Sequence, residues 1–79
     1  MDIKDFVKKF ANQFENTPGS IFKPATRFRD LDEWDSMIAL AIMAMADEQY
    51  DVRISPDEMT NSQTIEELYN IVASKRNEQ

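Results

Sequence analysis

The chain has 79 residues, no cysteine, no histidine and a single glycine, and its net charge is −6. A chain of this length holds one small domain, and without disulfides such a domain usually depends on well-packed helices. The missing residues exclude a Ser-His-Asp triad, zinc ribbons, thiol catalysis and Gly-rich phosphate-binding loops. The lack of cysteine fits a reducing compartment, and we expect a cytoplasmic monomer.

The charge is distributed unevenly along the chain. Residues 30–67 contain eleven acidic residues and one base, whereas residues 1–29 have a net charge of +3. Such an acidic segment disfavours nucleic acid as a partner and suits a partner with a basic patch, although solubility alone would also explain it. The longest run without polar side chains, residues 37–46, is about half the length of a membrane span, so we expect no span.

The first helix is predicted by the spacing of apolar residues near the N-terminus. They recur at steps of three and four, as on one face of a helix, and Asp2 is suited to cap it. The sequence Thr17-Pro18-Gly19 then ends any helix, because proline cannot continue it and glycine favours a turn. The residues of this predicted core face are Ile3, Phe6, Val7, Phe10, Ala11 and Phe14.

Residues 17–34 show no clear period and are predicted to form a long connection. Connections of this length are uncommon in compact domains unless they are functional or packed. Several large apolar residues lie in this one and two prolines restrict it, so we expect a packed loop with a short helical turn. These residues are Ile21, Phe22, Phe28, Leu31 and Trp34, together with Pro18 and Pro24.

The second helix is predicted over about residues 36–50, with Asp35 or Ser36 as its N-cap. Residues 37–46 make it apolar on every side. Such a helix is either buried on most faces or presents an apolar face to something outside. The sequence leaves open whether the preceding loop covers that face.

Two short sequence patterns predict further helices. Residues 55–58, Ser-Pro-Asp-Glu, form a capping box that predicts a short third helix over about residues 56–60. Residues 64–67, Thr-Ile-Glu-Glu, form a second capping box, and helical spacing extends the fourth helix to about Ser74. The tail, residues 75–79, is expected to fray. Together these elements predict an all-α fold, an irregular four-helix bundle with a long first loop and a short third helix.

Ser36 lies at the start of the apolar helix, directly after a segment with four acidic residues at positions 30–35. The Asp30-x-Asp32 pattern in that segment lacks the later ligands and the glycine of a calcium-binding loop. No histidine is present to activate Ser36 as a nucleophile, so catalysis by the chain alone is not expected. Ser36 is therefore either a helix cap or a site at which another enzyme attaches an anionic group, which a helix N-terminus favours.

Residues 26–37, Thr-Arg-Phe-Arg-Asp-Leu-Asp-Glu-Trp-Asp-Ser-Met, resemble the attachment region of the acyl carrier protein family. That family has a phenylalanine, then a leucine, then Asp-Ser-Leu at the start of its second helix. The resemblance covers nearly the whole chain in the order helix, long loop, Asp-Ser, short third helix and last helix. It implies a single carrier domain over residues 1–79.

The resemblance further implies that Ser36 carries 4′-phosphopantetheine, attached by a separate magnesium-dependent phosphopantetheinyl transferase with the assistance of Asp35. The protein would then be a carrier and not an enzyme. It would hold acyl or aminoacyl groups as thioesters for acyl-loading and acyl-processing enzymes of fatty-acid, polyketide or related biosynthesis. An unmodified helical interaction module of the same fold is the alternative. The residues expected to contact partners are Glu33, Trp34, Met37, Leu40, Ala41, Ala44, Asp47 and Glu48.

The sequence departs from the pattern of that family at three points. Leu31-Asp32 replaces the common Leu-Gly before the motif, and Trp34, which some relatives share, lies directly before Asp35. Residues 38–46 also lack the acidic residues that many fatty-acid carriers have there. Docking is therefore expected to depend more on apolar contacts and on residues 30–35. A carrier for a dedicated lipid, polyketide or aminoacyl pathway is at least as consistent with the sequence as the general fatty-acid carrier.

Overall fold

The computed structural model describes residues 1–77, and within them all regular structure is helical. The four α-helices are α1 (Ile3–Ala11), α2 (Ser36–Tyr50), α3 (Pro56–Asn61) and α4 (Ile65–Asn77). The long loop between α1 and α2 contains two short 3-10 turns, Gly19–Ile21 and Phe28–Asp30. The predicted all-α bundle with a long first loop and a short third helix is confirmed.

Helix α1 begins where Asp2 accepts a hydrogen bond from the Lys4 N–H group at 3.0 Å. It ends at Ala11, earlier than the apolar spacing up to Phe14 predicted. Beyond it the chain forms tighter turns, in which the Phe14 N–H donates to the Ala11 carbonyl at 3.0 Å and Phe14 is still buried. A turn of this kind also brings residues three apart to the same side of the chain. The apolar spacing therefore continues to Phe14 although the α-helix ends at Ala11, and the predicted helix was too long.

The loop between α1 and α2 packs against the core, as the sequence predicted. Phe22 and Phe28 are both buried. The ring centroid of Phe22 lies 4.8 Å from that of Phe14, and the ring centroid of Phe28 lies 5.4 Å from that of Phe10. Aromatic pairs at these distances stabilise a core beyond the area that they bury. The loop is therefore part of the hydrophobic core.

Backbone hydrogen bonds tie the same loop to the start of α4. The Ile65 N–H donates to the Thr26 carbonyl at 3.2 Å, and the Glu66 N–H donates to the Pro24 carbonyl at 2.9 Å. The first N–H groups of a helix have no partner within that helix. The loop satisfies two of them and is held in place by doing so.

Arg29, in the second 3-10 turn, connects the loop to the end of α3. Its guanidinium donates to the carbonyl oxygens of Met59 and Ser62, the latter at 2.8 Å. The last carbonyls of a helix lack partners within the helix and attract cations. The sequence did not predict this contact, because Arg29 and Ser62 are 33 positions apart.

Helix α2 packs against α1 and α4. Ile42 and Ala46, near its middle, are fully buried. At its end the Tyr50 hydroxyl donates a hydrogen bond to the Asp5 carboxylate on α1 at 2.7 Å. Burial is the main cause that raises the pKa of Tyr50 well above its ordinary value, and the hydrogen bond to Asp5 adds to it. The hydroxyl therefore keeps its proton and remains a donor.

The capping box predicted for α3 is confirmed. Ser55 accepts a hydrogen bond from the Glu58 N–H at 3.1 Å, and the Glu58 carboxylate accepts one from the Ser55 N–H at 2.8 Å. Pro56 occupies the first helical position, and the helix ends at Asn61, one residue later than expected. The local sequence was sufficient here because every bond of the box joins residues three apart.

The start of α4 differs in one bond from the predicted capping box. Thr64 accepts a hydrogen bond from the Glu67 N–H at 3.1 Å, as expected. The Glu67 carboxylate, however, accepts from the Gln63 N–H at 2.7 Å rather than from Thr64. The helix start was therefore predicted correctly, and the return bond is shifted by one residue.

Helix α4 continues to Asn77, so the predicted fraying is wrong for residues 75–77. The Lys75 ammonium donates to the Arg53 carbonyl at 2.7 Å and pairs with the Glu58 carboxylate. These contacts come from residues 22 and 17 positions away, which the local sequence does not reveal. The fraying expected of residues 78–79 lies outside the described residues.

Candidate functional site

At the start of α2, Asp35 is the N-cap residue and Ser36 is accessible to solvent. Asp35 has an extended backbone, and its carboxylate accepts a hydrogen bond from the Ile38 N–H at 2.8 Å. Ser36 is the first residue of the helix and its side chain is exposed. Within residues 1–77 its hydroxyl has no hydrogen-bond partner. The oxygen is therefore free to receive a group from outside.

The residue two positions before Ser36, Trp34, is held against the core. Its ring centroid lies 4.8 Å from that of Phe28 and 6.4 Å from that of Phe14. The Trp34 N–H also donates to the Leu31 carbonyl at 3.0 Å. Trp34 was predicted to contact partners. Its ring is half-buried and packs on these core residues, which fixes the segment that leads to Ser36, and its contact with partners stays a prediction.

Glu33 was also predicted to contact partners, and its carboxylate is bonded to the chain itself. It accepts hydrogen bonds from the Glu15 N–H at 2.8 Å, the Asn16 N–H at 3.0 Å and the Thr17 hydroxyl at 2.7 Å. The Thr17 hydrogen bond holds the pKa of Glu33 below its ordinary value, and the two N–H groups add to this against the opposing effect of desolvation. Sequence reasoning missed these bonds because no local pattern connects Glu33 to residues 15–17.

An outward stripe on α2, which we call the α2 stripe, begins beside Ser36. Met37 is 72% exposed and Leu40 is 60% exposed. Of the two arrangements that the sequence left open, the structure has the exposed apolar face. The stripe continues with acidic residues at the end of the helix. Its members are Met37, Leu40, Ala44, Asp47 and Glu48, which are exposed, and Ala41, which is half-buried.

Two surface clefts flank the α2 stripe. The first has a volume of about 260 Å³, and the second has a volume of about 270 Å³. The first is lined by Gln13, Glu15, Glu33, Asp35, Met37, Ile38 and Ala41. The second is lined by Met43, Ala44, Asp47, Arg53 and Ile54. The alanines of α2 thus differ in environment, since Ala44 borders a cleft while Ala46 is closely packed.

The acidic residues before Ser36 do not form a metal site. Asp30 pairs with Arg27 at 3.5 Å, and both side chains are mostly exposed. In residues 1–77 no group of three or more histidine, cysteine, aspartate or glutamate side chains is placed to hold a metal ion. Over the same residues, no helix combines the length and apolar character that crossing a membrane requires.

The fold and the site together define a small helical domain with an accessible serine at the start of its second helix. The family model described as "Phosphopantetheine attachment site" matches residues 5–72, which include the long loop, α2 and most of α4. The chain therefore belongs to the phosphopantetheine-binding family, whose domains are carriers of covalently attached 4′-phosphopantetheine and not catalysts. The resemblance to acyl carrier proteins is confirmed by this match. No match was found among curated proteins or among solved structures.

Proposed function

We propose that Ser36 is the residue that carries the 4′-phosphopantetheine arm, and that the protein is an acyl carrier. In this function the arm holds acyl or aminoacyl groups as thioesters for enzymes of fatty-acid, polyketide or related biosynthesis. The observation that carries the proposal is the exposed Ser36 hydroxyl, which is free because Asp35 caps the helix in its place. The position lies inside the family match over residues 5–72.

The residues around Ser36 fit a phosphodiester. The Ile38 N–H is used by Asp35, but helix geometry leaves the N–H groups of Ser36 and Met37 without partners inside the helix. These groups and the positive end of the helix dipole favour an anion there. When bound, the arm supplies a thiol that can form thioesters, which this chain lacks because it has no cysteine.

The α2 stripe supports docking of the transferase and of acyl-loading and acyl-processing enzymes. Its exposed apolar residues, Met37 and Leu40, lie within two turns of Ser36. Asp47 and Glu48 follow further along the same helix and suit a basic patch on a partner. Asp35 directly precedes Ser36 in the chain, and we propose that it assists the transferase in addition to capping α2.

Attachment at Ser36 is tested by incubating the purified protein with a phosphopantetheinyl transferase, magnesium and coenzyme A, followed by intact mass measurement. The wild-type protein and the Ser20→Ala control, which removes another exposed serine, are expected to gain one phosphopantetheinyl group. The Ser36→Ala variant is expected to gain none, because the accepting oxygen is absent. Equal gain in Ser36→Ala would contradict the assignment. No gain in the wild-type protein, with partner binding unaffected by Ser36→Ala, would favour the unmodified interaction module.

A further inference from the structure

Glu33 connects the segment before Ser36 to residues 15–17, at the start of the loop that follows α1. It lies three residues before Ser36, and both of its carboxylate oxygens accept hydrogen bonds. One oxygen accepts from the Glu15 N–H, and the other accepts from the Asn16 N–H and the Thr17 hydroxyl. The three distances lie between 2.7 and 3.0 Å. Hydrogen bonds to an ionised acceptor are stronger than those between neutral groups.

These bonds act together with two neighbouring anchors. Trp34 packs on Phe28, with ring centroids 4.8 Å apart, and Asp35 caps α2. Three consecutive residues before Ser36 are thus each held by a different part of the molecule. The backbone of this short segment has little freedom to shift unless the bonds to residues 15–17 are broken.

Because the Glu33 carboxylate is already hydrogen-bonded within the chain, it is less available to bind a basic residue of a partner. Glu33 is half-buried, and its oxygens already face three donors of the chain itself. A basic residue of a partner would have to compete with these donors. Asp32, its neighbour in the chain, is exposed and provides a matched acidic residue for comparison.

We propose that Glu33 is a positioning residue for arm transfer: by binding residues 15–17 it holds the segment up to Ser36 in the geometry that the transferase recognises. Its contribution then comes from internal hydrogen bonds and not from surface charge. The inference rests on the proposed function, in which Ser36 is the attachment site. It assigns Glu33 a different part in the reaction from that of the acidic surface residues nearby.

The test compares the kcat/KM of arm transfer for Glu33→Gln and Asp32→Asn at low and high salt. Each variant removes one negative charge and replaces one carboxylate oxygen with an amide nitrogen that cannot accept. Only in Glu33→Gln do the altered oxygens accept hydrogen bonds from other residues among 1–77. We expect kcat/KM to fall about tenfold in Glu33→Gln, because fewer molecules hold the competent geometry. The fall should be the same at both salt concentrations. For Asp32→Asn we expect a change of less than about twofold, which salt reduces.

A second variant, Thr17→Val, keeps the Glu33 charge and removes one donor. It should lower kcat/KM by roughly threefold without dependence on salt, so the proposal remains testable if Glu33→Gln does not fold. Amide N–H signals of Glu15 and Asn16 in proton–nitrogen spectra should move in Glu33→Gln, independently of arm transfer. Moved signals with unchanged kcat/KM would mean that the bonds are only structural, and would overturn the proposal.

Two other outcomes would also overturn the positioning role. One is arm transfer to Glu33→Gln at the wild-type rate. The other is a deficit that disappears at high salt, which would identify Glu33 as a surface docking charge. If the wild-type protein accepts no arm at all, the proposed function of Ser36 fails and this inference fails with it. That result is distinguishable from loss confined to the Glu33 and Thr17 variants.

Discussion

Single side chains at helix ends decide how the candidate site is presented. Asp35 takes the Ile38 N–H, and the adjacent Ser36 hydroxyl is left without a partner among residues 1–77. At another helix end, Arg29 donates hydrogen bonds to the carbonyl oxygens of Met59 and Ser62. Both arrangements follow from the shortage of backbone partners at helix termini. We expect a charged side chain that bonds to such groups to contribute more to stability than an ion pair at the surface.

The Arg29→Met variant tests this at the residue scale. Removing both donors leaves two carbonyls, that of Met59 in α3 and that of Ser62 directly after it, without their partner, so we expect the free energy of unfolding to fall by about 2 kcal/mol. In the matched control, Arg27→Met, an exposed ion pair with Asp30 at 3.5 Å is lost. That control should change stability by less than about 0.5 kcal/mol. Urea denaturation at neutral pH measures both, and equal losses would contradict the role of Arg29.

At the scale of one element, α2 separates a core face from an outer face that has similar residues. Ile42 is fully buried, whereas Leu40, two positions earlier, is 60% exposed. Apolar spacing predicted a helix here but no preferred face, because residues 37–46 are apolar all round. Packing against α1 and α4 selects the buried side. The same packing leaves the α2 stripe exposed.

Alanine substitutions at these two positions should separate stability from docking. Ile42→Ala removes buried methyl groups and leaves a cavity, so we expect a loss of about 2–4 kcal/mol in the free energy of unfolding. Leu40→Ala should change stability by less than about 0.5 kcal/mol but raise the KM of the transferase by roughly threefold. Urea denaturation and arm-transfer kinetics measure the two effects. A Leu40→Ala variant with normal KM would exclude Leu40 from the docking surface.

At the scale of the whole molecule, negative charge is concentrated in the middle of the chain. Residues 30–67 hold eleven of the 15 acidic residues, within a total net charge of −6. The structure uses some of these carboxylates internally, as at Glu33 and Glu58, and leaves others exposed, as at Asp47 and Glu48. The charge available to a partner is therefore smaller than the sequence total and lies partly along α2.

The local and overall effects of this charge can be distinguished with Glu48→Gln and Gln49→Lys. Both positions are exposed, and both changes raise the net charge by one. If the α2 stripe guides docking, Glu48→Gln should slow transferase association about threefold at low salt, and less as salt screens the interaction. Gln49→Lys, outside the stripe, should have a smaller effect. Stopped-flow association rates that fall equally for both variants would indicate a general effect of net charge.

The sequence by itself determined the helices, the helix start at Asp35-Ser36 and the position of the candidate attachment serine. It also predicted the first core face and the packed loop. The helices and their caps depend on residues close together in the chain, such as the bonds between Ser55 and Glu58 and the apolar spacing from Phe6 to Phe10. The attachment serine was indicated by the family resemblance of residues 26–37. Local spacing and capping preferences describe interactions of this range well.

Only the tertiary structure decided which face of α2 is exposed, which residue of Asp35 and Ser36 is the cap, and where the Glu33 carboxylate binds. It also extended α4 to Asn77 through the contacts of Lys75. Glu33 and Glu15 are 18 positions apart, and no periodicity links such positions. From the sequence alone, an apolar helix or a carboxylate could contact any of several partners. The folded chain selects one of them by bringing distant groups within bonding distance.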